Sequence, residues 1–437
     1  MSRSRANGGR RENAGYWPGA RALFAGHGRP RTATAGVGRP TPPPAATRPA
    51  PGPMKSRKSP VRPWKTPAIR SNLNHQTMNN DDTNTSSAGR IDRRDLLVGS
   101  VAVAAALSST STPAEAAPAS KVPPSYAAHP PAGFVPFSAP GRVVKVTGGD
   151  TLQPNKLYPK PESAKAMLEK ALTKLTGKDS LVEALKMFVH PADKVVVKVN
   201  GIALRNMSTN KELVMPLLEG LLAAGIPAKQ LTVLEQYMGF LNGTRLTAQN
   251  VPAGVKVEIH ANNDSPMEPQ MVGGTGVRTR FCRTLLDCTA VINVHLVKDH
   301  SICGYTGALK NMTHGTTLNP HDFHVHHASP QIAHLFAQDA IRSRVRLNIA
   351  DAFKVMYHGG PLDKQPQHRV PYEAVLASTD PVAIDTIGWE VVEEHRKRAK
   401  LKSLTDEGRA PTYITKAGEL GLGVADRSKI ELVEVAS

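Results

Sequence analysis

The chain has 437 residues, with 55 Lys and Arg against 36 Asp and Glu. The excess belongs to one end: residues 1–120 hold 18 basic and 6 acidic side chains, a net of +12, and the remainder is only +7. With that tail set aside, the strong positive field that marks a nucleic-acid binder is gone, and no nucleic-acid partner is expected.

Residues 1–77 are rich in Arg, Pro, Gly and Ala, as in RPTPPPAATRPAPGP. Such a segment buries too little apolar surface to offset the entropy of ordering it, so it reads as disordered or as a mis-assigned start. Met78 opens a more ordinary N-terminus. Arg93 and Arg94 form a twin-arginine pair, the apolar run LLVGSVAVAAAL covers Leu96 to Leu107, and Ala114-Glu115-Ala116 supplies a small-x-small cleavage pattern. Residues 78–116 therefore read as a twin-arginine-type signal peptide. The expected partner is the twin-arginine export machinery, and the expected location is periplasmic or secreted. At twelve residues the apolar run is too short for a stable membrane span. A Pro-rich linker follows over residues 117–141.

From residue 142 strands and helices alternate. RVVKVTG (142–148) predicts a strand, and Glu162–Thr176 and Ser180–Val189 have helical spacing. DKVVVKVN (193–200) is a strand, Asn210–Gly225 a helix, and LTVLE (231–235), VKVEIH (255–260) and AVINVH (290–295) are further strands. Gly304–Thr313 and Pro330–Ala340 predict helices, RLNIAD (346–351) and YEAVLAS (372–378) strands, Pro381–Lys397 a long helix and KIELVEV (429–435) a last strand. Strands interleaved with helices, several apolar on both faces, predict one α/β domain over 142–437 with a mostly parallel sheet flanked by helices.

Open α/β sheets bind ligands beyond the carboxyl ends of their strands. The polar groups expected there are Asn200, Glu235, Gln236, His295 to His300, Asp351 and Asp380. The densest stretch is VINVHLVKDHSICGYTGALKNMTHGTTLNPHDFHVHH, from Val291 to His327. It reads as a buried strand that breaks at Lys298-Asp299-His300, crosses Gly304 and Gly307, and reaches Lys310-Asn311 on a helix start.

Two chemistries fit this pattern. Lys298 and Lys310, with glycines that let the backbone approach, form an anion site for a small anionic molecule near a helix N-terminus, with Asn311 and Asn200 orienting it. His, Asp and Glu without paired Cys fit a divalent metal (Zn, Fe or Mn), with His324, Glu235 and Asp351 as expected ligands. His300, Asp299 and Lys310 are the candidate acid/base groups. Cys282, Cys288 and Cys303 match neither a zinc knuckle nor a ferredoxin run, so no iron–sulfur cluster is expected; one disulfide plus a free thiol fits the count. Cys303 beside His300 is a further candidate, for redox chemistry.

The blocks DKVVVKVN, AVINVHLVKDH, TGALKNMTHG, NPHDFH, VRLNIADAF, the Gly359-Gly360-Pro361 turn and STDPVAIDTIGWE resemble the proteins grouped as domain of unknown function 362, in their exported twin-arginine branch. The similarity runs from about Arg142 to Glu434. It implies a single α/β domain and an association with iron–sulfur proteins, since many members carry a ferredoxin module. This chain lacks that module's cysteine run and has His295 where relatives tend to have proline. The resulting expectation is an exported enzyme, metal-dependent, acting on a small anionic substrate. The alternatives are a periplasmic ligand- or metal-binding protein without catalysis, and a redox partner.

Overall fold

The computed structural model describes residues 125–437 apart from Asn263. The expected disordered start, the signal peptide and the first part of the linker lie outside the described residues. Residues 125–141 carry no helix or strand, yet they are tied down. Arg344 donates to the Tyr126 carbonyl at 2.7 Å, and Phe137 meets Phe188 edge-to-face at 5.8 Å.

The chain then runs β1 (Arg142–Thr147), α1 (Pro161–Thr176), α2 (Leu181–Lys186), β2 (Val195–Lys198), α3 (Lys211–Ala223), β3 (Leu231–Glu235), α4 (Met238–Thr244) and β4 (Lys256–Ile259). A small hairpin of β5 (Gln270–Val272) and β6 (Val277–Thr279) precedes α5 (Arg283–Asp287), β7 (Ala290–His300), β8 (Gly304–Thr306) and α6 (Ala308–Thr313). The last part holds α7 (Gln331–Phe336), α8 (Asp339–Arg342), β9 (Val345–Met356), β10 (Arg369–Ser378), α9 (Pro381–Arg398), α10 (Tyr413–Glu419) and β11 (Glu431–Ala436).

Nine strands form one mixed sheet, ordered β11-β1-β10-β9-β7-β2-β3-β4, with β8 folded onto β7. Strands β9, β7, β2, β3 and β4 are parallel, as are β1 and β11, while β10 runs antiparallel to both its neighbours. One apolar layer joins α1 to α3 with the sheet through Leu168, Leu172, Leu217 and Ile292. The other joins α6, α7, α9 and α10 through Met312, Ile332, Ile387 and Val297. Central strands buried on both faces need mostly apolar side chains, and VVVK and LTVLE supply them up to Lys198 and Glu235 at their ends, which pair with each other. Among the described residues no helix is long and apolar enough to cross a membrane.

Four expectations are corrected. The strand expected to end at His295 continues to His300, because β8 returns antiparallel and pairs Lys298 with Thr306 and His300 with Gly304. That pairing satisfies the backbone of a stretch whose side chains are charged. The helix expected from Gly304 consequently starts at Ala308. Asp351 lies inside the twelve-residue β9, opposite both Leu296 and Val375, and so is not at a strand end. Asp380 follows the antiparallel strand and stands at the opposite edge of the sheet from Glu235. There it caps α9 through the amides of Val382 and Ala383, both at 2.9 Å.

Candidate functional site

At the carboxyl edge of β2, β3 and β7 the loops and α6 enclose a cavity of about 240 Å³. Its polar wall includes Lys198, Asn200, Glu235, His300, Lys310 and His324, and its apolar wall Ile202, Tyr237 and Phe240.

Lys198, the last residue of β2, is buried and forms an ion pair with buried Glu235 at the end of β3. Glu235 also accepts the Gly201 amide at 3.1 Å. This pair is balanced within itself. Lys298 and Lys310 are different: each is buried, and neither is ion-paired with an acidic side chain among the described residues. Lys298 Nζ donates to Asn200 Oδ1 at 3.1 Å and weakly to the Pro361 carbonyl at 3.4 Å. Burial lowers its pKa to about 7. Burial also lowers that of Lys310. Its Nζ lies 3.2 Å from His324 Nε2. His324 Nδ1 faces the Pro320 carbonyl at 3.0 Å, so Nδ1 carries the proton and Nε2 accepts from Lys310.

From Lys298 a line of amides runs into the sheet. Asn200 donates to Asn311 Oδ1 at 3.0 Å, Asn311 to Asn293 Oδ1 at 2.8 Å, and Asn293 to Asn348 Oδ1 at 2.9 Å. Each amide thus accepts from one neighbour and donates to the next, which polarises the line and fixes the orientation of Asn200 and Asn311 in the cavity wall.

His300 accepts the Ile302 amide at its Nδ1, 3.1 Å away, which leaves Nε2 to carry the proton. Its ring stacks on His324 at 5.8 Å, and His314 meets His324 edge-on at 4.6 Å. Burial first, and Lys310 second, hold His300 and His314 well below the usual imidazole range, so both are neutral near pH 7.

The helix N-terminus expected to take the anion is closed from within. Asp385 on α9 accepts the Ala308 amide at 2.5 Å and the Leu309 amide at 3.0 Å, one on each carboxylate oxygen. A side chain at Gly307 would clash with Asp385 and Tyr305, and one at Gly304 with the Arg409 carbonyl. Both glycines serve close packing within the protein.

Asp299 is also outside the cavity. Side chains alternate along a strand, so Lys298 and His300 share one face of β7 and Asp299 takes the other. There Asp299 accepts from Arg409 at 2.5 Å and from the Gly360 amide at 3.0 Å, with buried Arg396 at 3.8 Å. It anchors the loop after α9 to the strand end.

The expected metal set is not assembled. Both oxygens of Asp351 are taken by the amide and side chain of Asn210, Glu235 is paired with Lys198, and His324 Nε2 faces Lys310. Among the described residues no group of three or more His, Cys, Asp and Glu stands in a metal-holding arrangement. These residues do not fit a divalent ion. All three cysteines are free and buried, and burial raises the Cys303 thiol above its ordinary range, the reverse of a reactive thiolate.

Sequence reasoning brought Asn200, Glu235, Lys298, His300, Lys310, Asn311 and His324 to this place, and it missed Lys198, Tyr237 and Phe240. For Lys198 a signal was present, since a lone Lys inside VVVKV must be paired where it is buried. For the aromatics nothing in the spacing distinguished them from core.

The fold and site define an α/β protein with a cavity at the carboxyl edge of its parallel strands, walled by lysine, asparagine and histidine. Residues 195–390 match the model of the family described as Domain of unknown function (DUF362). No curated protein matches the sequence. Among solved structures, the chain is similar to the lactate racemase apoprotein from Thermoanaerobacterium thermosaccharolyticum, at 12% identity and a TM-score of 0.33. The similarity covers 58% of this chain and 62% of that one, less than two thirds of its length.

Proposed function

We propose that the protein is an enzyme that binds a small anionic substrate against Lys298 and Lys310 and moves a proton through Lys310 and its neighbouring imidazoles. The observation that carries this reading is the pair of buried amines with no acidic partner. A buried cation without a counter-charge is costly, so in the empty cavity the amines shed protons, and an anion restores the charged form. A lysine amine whose pKa is lowered by burial is suited to proton transfer, and His324 Nε2 is its hydrogen-bond acceptor 3.2 Å away. Asn200 and Asn311, held by the amide line, orient the anion. Export through the twin-arginine-type signal at Arg93-Arg94 belongs to the same proposal, and N-terminal sequencing of secreted material is its test: a start near Ala117 supports it, and an intact chain through residue 100 contradicts it.

Deuterium wash-in tests the chemistry. Small carboxylic acids incubated with the protein in D2O should exchange a carbon-bound hydrogen, read by NMR, and Lys310→Gln should abolish the exchange. Saturable anion binding with no exchange and no turnover would favour a binding protein without catalysis.

A further inference from the structure

We propose that the anion is the carboxylate head of an amphipathic acid, with the head against Lys310 and an apolar body between Ile202, Tyr237 and Phe240. This rests on the anion-binding reading above and narrows it. The head group follows from which donors are left. Phosphate sites set lysine beside clusters of backbone amides, or use arginine forks. Here the two amides that open α6 are consumed by Asp385, and no arginine lines the cavity. What remains is lysine with neutral donors, which suits a monoanion. Two residues of the wall, Gln236 and Thr306, carry a buried polar atom, Nε2 and Oγ1, with no hydrogen-bond partner among the described residues.

Size sets the next limit. The cavity of about 240 Å³ is partly open to solvent and has room for about eight waters at ~30 Å³ each, which accommodates an acid of roughly a dozen non-hydrogen atoms.

The body follows from the remaining wall and the rim. Tyr237 and Phe240 meet edge-to-face at 5.2 Å beside Ile202. Leu204, Met238, Ile302 and Val325 are large apolar side chains that stand exposed, at 53%, 53%, 37% and 49%. Each is within two residues in sequence of a lining residue. A wholly polar substrate would leave the apolar wall wet.

Calorimetric titration of the full-length protein with phenylacetate, hexanoate, acetate and inorganic phosphate tests the assignment. Phenylacetate and hexanoate should bind at least about tenfold more tightly than acetate, because each methylene taken out of water is worth about fourfold. Tyr237→Ala, at a position 44% exposed, and Phe240→Ala should narrow that gap. Acetate or phosphate binding as tightly as phenylacetate overturns the inference and leaves the anion reading standing. An unchanged gap in both variants overturns the placement of the body. Failure of all four to bind the folded protein overturns both readings.

Discussion

Lys310 Nζ stands 3.2 Å from His324 Nε2, an amine donating to a neutral imidazole with no carboxylate to balance it. Behind Asn200 of the cavity wall, Lys298 is held among the described residues by an amide oxygen and a carbonyl. The cavity is therefore built around positive charge that burial suppresses and an incoming anion would restore.

Opposite pH dependences follow for stability and for binding. Lys298 is lowered to about 7 in the folded protein and titrates near 10.5 when unfolded. Between those values the unfolded chain holds the extra proton, so stability rises with pH, by up to about 1.4 kcal/mol per pH unit for this group. Below pH 7 both states are protonated and its penalty is fully present. Anion affinity runs the other way, because a bound anion favours the ammonium, and should fall by up to about tenfold per unit above pH 7. Denaturant melts and titrations from pH 6 to 9 check both, and Lys298→Met should flatten the two slopes together.

Asp299→Asn should cost stability and spare binding. Removing the charge weakens the hold on Arg409 and fully buried Arg396, but both keep Glu407 and Arg409 keeps the His300 carbonyl, so the expected cost is about 1–3 kcal/mol. The residue faces away from the cavity, so anion affinity of the folded variant should stay within about twofold. A large loss of affinity without loss of stability would return Asp299 to the site.

Much of this arrangement was legible in the residues and some was not. The element order and the gathering of Lys298, Lys310, Asn311 and His324 near one edge of the sheet followed from apolar periodicity and from polar groups at strand ends. The reversal at β10 was visible in part: residues 357–368, rich in Gly and Pro, offer no helix for the crossover a parallel neighbour requires. Read that way, Asp380 would have been removed from the site. The fate of Asp299 depended on β7 running on to His300, which only the pairing with β8 makes possible. The closing of α6 by Asp385 was out of reach, since those residues are 76 and 77 positions apart and nothing local links them.

Asp385→Asn tests that closure. An amide has one acceptor where the carboxylate has two, so one of the Ala308 and Leu309 N–H groups would face an NH2 donor. The expected cost is about 1–3 kcal/mol, the cost of an unsatisfied buried group, with weaker anion binding because α6 carries Lys310 and Asn311. An unchanged melting midpoint would show that the cap contributes nothing.

The most direct measurement is proton uptake during phenylacetate binding at pH 8, from calorimetry in buffers of different ionisation enthalpy. Lys298 and Lys310 should draw protons from the buffer as the anion enters, and Lys310→Met should lower the affinity at least about tenfold while folding as well as or better than the parent. Binding without proton uptake, or a Lys310→Met variant that binds as tightly as the parent, would contradict the account.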